Sequence, residues 1–211
     1  MRIGIFGGSF DPVHFGHLLL AEYCRESCQL DEVRLVPAAI PPHKQGQYRA
    51  ADEHRLQMLK LAIGGHPALT TWDVEIERGG VSYTIDTLNA LRKQQPDDEL
   101  FFLIGADSLH DLPTWHKPDA ICAAASLVAV NRPGSAPVDF EVLADLVPAP
   151  RRAAFSELIV TMPQIGISST EIRRRVAANL SIRYQTPRAV EEYIREAGLY
   201  KNAGHDSQGA V

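Results

Sequence analysis

The chain has 211 residues, 45% of them apolar and 22% charged, a balance that excludes a disordered protein and suits a globular core. A net charge of −5 disfavours a general nucleic-acid coat, and no apolar run reaches the roughly 18 residues of a membrane span. Cys24, Cys28 and Cys122 form no C-x-x-C and read as small core hydrophobes. With no leader-like segment in view, the cytoplasm is the expected location.

The first element is a short apolar run of strand type, Ile3 to Phe6. Gly7 and Gly8 follow, then a turn-prone Ser9-Phe10-Asp11-Pro12, then a helical pattern to about Cys28. Strand, glycine turn and helix together place N–H groups and a helix N-terminus against a phosphate. The stretch holds neither G-x-G-x-x-G nor G-K-[ST]. It carries His14 and His17 instead, three residues apart, and both are expected on one face of the first helical turn. Gly16 between them would let a ligand approach the backbone.

Val33 to Val36 reads as a second strand, ended by Pro37. The stretch from Pro37 to Arg49 reads as a lid or binding loop, with His43 and Lys44 behind two prolines. Ala51 to Ile63 is a helix with Leu56, Leu59 and Ile63 on one face, stopped by Gly64-Gly65. Leu69 to Val74 is a third strand, and Glu75 to Gly80 a polar excursion. Ser82-Tyr83-Thr84 opens a helix with the stripe Ile85, Leu88, Leu91; Ser and Thr suit its cap, and its free N–H groups suit a carboxylate.

Leu100 to Ile104 is a buried parallel strand that runs into Gly105-Ala106-Asp107, where open α/β sheets bind ligands. Trp115 beyond it suits either the core or stacking on a flat ring. Ser126 to Val130 is a further strand, Phe140 to Leu146 a short helix, and Leu158 to Met162 the last strand. Ser168 with Glu171 forms a capping box, and Arg173 one turn on is a bidentate phosphate donor. Pro187 opens the final helix and Gly198 closes it. The expected architecture is α/β: a Rossmann-like, doubly wound, mostly parallel sheet with helices on both faces. One domain spans residues 1–200, and 201–211 read as a disordered polar tail.

GGSFDPVHFGH resembles the signature of the nucleotidyltransferases marked by (H/T)-x-G-H, and more closely the bacterial nicotinate-mononucleotide adenylyltransferases. PPHK, SYTIDTL, GADS, a Trp after it, and ISSTEIR occur in that family in this order. The resemblance implies transfer of AMP from ATP to nicotinate mononucleotide, giving deamido-NAD and pyrophosphate. Mg²⁺ would ride mainly on the triphosphate, with no metal ligand from the protein; neither nucleic acid nor membrane would be a partner. It implies catalytic roles on the phosphates for His14, His17, Lys44, Ser169 and Arg173. It places Gly7, Gly8, Ser9, Phe10, Gly105, Asp107, Ser168 and Thr170 at ATP, and Thr84, Trp115 and His116 at the nicotinate ring. The family more often has Thr at the position of Ser9, and both carry a hydroxyl. A sister enzyme (pantetheine-phosphate adenylyltransferase or a cytidylyltransferase) and a non-catalytic nucleotide-binding module are the alternatives.

Overall fold

The computed structural model describes residues 1–42, 49–131 and 137–201. Among them six strands form one sheet: β1 (Arg2–Gly8), β2 (Glu32–Pro37), β3 (Leu69–Thr71), β4 (Glu99–Gly105), β5 (Ser126–Asn131) and β6 (Ile159–Thr161). The spatial order is β3-β2-β1-β4-β5-β6, and every neighbouring pair runs parallel. The chain therefore winds outward from β1 in one direction, then returns to place β4 on the other side of β1. The crevice beyond the C-terminal ends of β1 and β4 is the point where such a sheet takes ligands.

Alternation along the strands sends side chains into two cores. Phe101 and Leu103 of β4 and Val128 and Val130 of β5 face one core. It is covered by α1 (Phe15–Ser27), α2 (Asp52–Ile63), α8 (Ser169–Ala177) and α9 (Arg188–Glu196). Leu100, Phe102 and Ile104 face the other. There the cover is α4 (Thr84–Gln94), α5 (Ala106–Asp111), α6 (Pro118–Ala124) and α7 (Ala149–Ser156). Covered on both faces, β4 reads as an unbroken apolar run. Cys24, Cys28 and Cys122 are buried free thiols, and burial pushes all three toward the neutral form.

Several elements depart from the pattern reading. The third strand stops at Thr71, and the expected polar excursion is a short helix, α3 (Val74–Arg78). Its Glu75 turns inward and accepts a hydrogen bond from Thr87, so a sequence that looks solvated is tied to the core. The cap of α4 is Tyr83, with no capping bond from its side chain, and the Ser82 hydroxyl expected there is engaged instead by Ala39 N–H at 2.9 Å. The box at α8 is half made: Ser168 Oγ accepts from Glu171 N–H at 3.2 Å, while the Glu171 carboxylate grips Arg174 at 2.7 Å. Phe140–Leu143 is a single 3₁₀ turn, and α6 and α7 had no clear signal. At the end of α9, Gly198 adopts φ 65 and Leu199 N–H reaches back to Ile194 O, the expected glycine stop. Residues 202–211 of the expected tail lie outside the described residues. No helix among the described residues is long and apolar enough to cross a membrane.

Candidate active site

The β1–α1 turn is built on its two histidines. His14 is the N-cap, with extended backbone, and not a first-turn residue as the spacing suggested. Its N–H donates to His17 Nδ1 at 3.2 Å, and the two rings stack with centroids 3.7 Å apart. A Cβ at Gly16 would come within 3.0 Å of the His14 ring, so this glycine makes room for the imidazole. Phe10 packs beneath this pair. It is 1% exposed at φ 47, and its ring meets His17 edge-on at 5.0 Å and Phe6 at 5.4 Å. The Phe10 side chain therefore buttresses His17 from the core.

The N-terminus of α8 is docked onto this turn. Ser169 Oγ donates to Pro12 O at 2.8 Å, and Arg173 Nη1 donates to Asp11 O at 2.7 Å. Thr170 is exposed and receives a long bond, 3.4 Å, from Arg173 Nη2. Asp11 itself is buried; its Oδ1 accepts from Tyr200 OH at 2.6 Å and from Ala50 N–H at 3.2 Å. One carboxylate thus joins the histidine turn, the chain entering α2 and the C-terminal Tyr200. The helix starts at His14 and at Ser168 therefore meet.

Two cavities open at the sheet edge. The larger, about 680 Å³, is bounded by Gly7, Gly8 and Ser9 on one side and by Thr84, Trp115 and His116 on the other. The smaller, about 230 Å³, holds His17, Gly105 and Asp107 on its wall. Gly7, Phe102, Ser108 and Trp115 are shared by both, so the cavities adjoin. Gly105 is the cap of α5, which leaves Asp107 exposed in its first turn. His116 is exposed and lies against Tyr83 with ring centroids 4.4 Å apart. Lys44 lies outside the described residues.

The cytidylyltransferase-like family model matches residues 5–175. A probable nicotinate-nucleotide adenylyltransferase of Thermomicrobium roseum is 48% identical, over 95% of this chain and 92% of its own length. Another, of Thermus thermophilus, is 47% identical over 95% of this chain and all of its own. This chain belongs to the nicotinate-nucleotide adenylyltransferases, within the cytidylyltransferase-like family. Its fold is similar to that of Plasmodium falciparum nicotinic acid mononucleotide adenylyltransferase complexed with NaAD. The TM-score is 0.75, with 95% of this chain and 97% of that one covered, at 19% identity.

The structure also buries two ionisable side chains that the sequence pattern did not mark. Arg55 of α2 is 0% exposed, and donates to Ser9 O at 2.7 Å, Ala38 O at 2.6 Å and Asp52 Oδ1 at 2.5 Å. It fixes the exits of β1 and β2 from behind. Glu75, on the wall of the large cavity, is buried, and burial pushes its carboxyl above the usual glutamate range. An arginine among helix-forming residues and a glutamate in a charged run gave no signal of burial.

Proposed function

We infer that this chain moves the adenylyl group of ATP to nicotinate mononucleotide, giving deamido-NAD and pyrophosphate in NAD biosynthesis. The observation that carries the reading is the meeting of two helix N-termini beside a cavity that continues toward Thr84 and Trp115. The 5′-phosphate oxygen of the mononucleotide attacks the α-phosphorus in line. The bond from that phosphorus to the bridging oxygen breaks, and pyrophosphate leaves with the electron pair. No covalent enzyme intermediate is needed, so the residues act by position and charge.

His17 and the N–H groups at the start of α1 face the transferring phosphate, with His14 stacked behind as support. Ser169 and Arg173 approach from α8, and Lys44, outside the described residues, is the further cation that the family resemblance assigns to the phosphates. Arg173, now on Asp11 O, exchanges that carbonyl for a phosphate oxygen when the triphosphate arrives. The small cavity suits the nucleoside part of ATP, with Asp107 toward a ribose. The large one suits the mononucleotide, its ring beside Trp115 and its carboxylate at the N–H groups opening α4. No cluster of three His, Cys, Asp or Glu side chains suited to a metal occurs among the described residues, and this donor set fits Mg²⁺ carried by phosphate oxygens and water. Mg²⁺ would supply neutralising charge to the triphosphate. Buried free thiols suit a reducing compartment such as the cytoplasm.

The test is pyrophosphate release with ATP and nicotinate mononucleotide, run beside nicotinamide mononucleotide, phosphopantetheine and CTP. Turnover above background only with one of the latter three would overturn the substrate assignment.

A further inference from the structure

A buried polar chain runs along the floor of the large cavity, from the glycine turn to the start of α4. It begins at Arg55, which holds Ser9 O and Ala38 O. The N–H of the same 38–39 peptide unit donates to Ser82 Oγ at 2.9 Å. Both polar groups of one peptide are therefore fixed by buried side chains. The Ser82 hydroxyl lies by Glu75 and favours its carboxylate, and Thr87 Oγ1 donates to Glu75 Oε1 at 2.5 Å. Ser82 N–H also donates to Ile40 O at 2.9 Å, and Val81 bridges Ile40. Residues 81–84 are thus registered on 38–40.

Glu75 is where this chain ends on α4. Thr87 stands three residues after Thr84, on the same face of that helix. The Thr87–Glu75 bond therefore fixes the rotation of α4 about its axis and the direction of its first N–H groups. Glu75, Ser82 and Thr84 line the cavity; Thr87, 2% exposed, stands behind them. We propose that Glu75 is the positioning residue that sets preference for an acid over an amide on the pyridine ring, through Ser82 and Thr87. The proposal rests on the reading that the ring lies against Thr84 and Trp115. A carboxylate accepts from every N–H aimed at it, whereas an amide meets some of them donor to donor. That penalty requires a fixed helix start, since a loose one rotates to suit either group.

The variants Thr87→Val, which keeps the shape and deletes the hydroxyl, and Thr87→Ser, which keeps the hydroxyl, separate this role from packing. Glu75→Gln is the second route, should Thr87→Val fold poorly. The measurement is kcat/KM for nicotinate and nicotinamide mononucleotides at fixed ATP and Mg²⁺. Thr87→Val and Glu75→Gln are expected to lower the acid-to-amide ratio about tenfold, through KM for the acid, with Thr87→Ser within about twofold of wild type. Equal losses on both substrates, or an unchanged ratio in the valine and glutamine variants, overturn the proposal and leave the ring site standing. A wild type with no preference overturns both.

Discussion

The two walls of the large cavity are made in opposite ways. One is the start of a single unbroken run of chain: Gly7, Gly8 and Ser9 line it, and the run continues through the turn to His17, on the wall of the adjoining small cavity. Its backbone carbonyls at Asp11 and Pro12 accept from Arg173 and Ser169 of α8, and its two histidines are held by His14 N–H on His17 Nδ1. The other wall is assembled from Glu75, Ser82–Thr84, Phe102 and Thr114–Lys117, separate segments brought together by the sheet. Its position depends on the buried chain through Arg55 and Ser82. A contiguous wall is suited to fixed demands such as those of a phosphate in transfer. An assembled wall is suited to choosing among rings, since its buried bonds fix the direction of its donors independently of the groups on the phosphates.

The largest effect expected from this contrast is on the first wall. His17→Ala is expected to lower kcat about a hundredfold or more, the loss of one aligned donor to developing charge, roughly 3 kcal/mol. The variant also loses the acceptor for His14 N–H, at about 1 kcal/mol of stability, so it stays folded. Trp115→Ala on the second wall is expected to act mainly on KM for the mononucleotide. Similar kcat losses in both variants, by steady-state kinetics, would erase the distinction between the walls.

Next in size is the link behind them. Arg55→Met strands Ser9 O and Ala38 O, and each buried carbonyl left without a donor costs about 1–3 kcal/mol. Urea unfolding measures this directly. A loss below about 1 kcal/mol would mean that the two wall ends hold themselves. Smaller again is Tyr200→Phe, which removes the 2.6 Å bond to Asp11. About 1 kcal/mol of stability and a raised KM for ATP are expected, since Asp11 O is where Arg173 rests. A change in KM for the mononucleotide alone would place Tyr200 with the wrong wall.

The same contrast explains what the sequence disclosed. The first wall follows from local rules: an apolar strand, two glycines, a turn and an i, i+3 histidine pair within sixteen residues, with only the place of His14 as the cap unread. The order of strands and helices follows from hydrophobic period, and so does the two-sided sheet. Glu75 could not be read that way, because EIER carries the pattern of a solvated turn and only Thr87 and Ser82 make it a buried group. Arg55 sits in HRLQML, where an arginine is ordinarily a surface residue of the helix. Ser82 resembled a cap because the Ala39 N–H that claims it lies 43 residues away. Tyr200 meets Asp11 across 189 residues. Each of these roles depends on a long-range partner that no local pattern contains.

The smallest effect tests the electrostatics of the second wall. Burial is the main influence on Glu75 and raises its pKa from the ordinary 4.5. The bonds from Thr87 and Ser82 and the charges of Arg78 and Arg55 oppose it without prevailing. The folded protein therefore holds this proton more tightly than the unfolded chain does. Its contribution to stability is complete below 4.5 and is lost as pH rises through the folded value. A glutamine in its place does not titrate. The stability of Glu75→Gln relative to wild type is thus expected to improve with rising pH across that window and then level off. Urea unfolding of both proteins over a pH series reads this difference, and other carboxyls cancel in it. Glu22 and Glu171 are among those, held low by Arg25 and Arg174. A relative stability that worsens as pH rises would mean that Glu75 is a paired anion serving Arg55 and Arg78. The second wall would then be anchored by charge, as the first is, and the contrast between them would reduce to chain order alone.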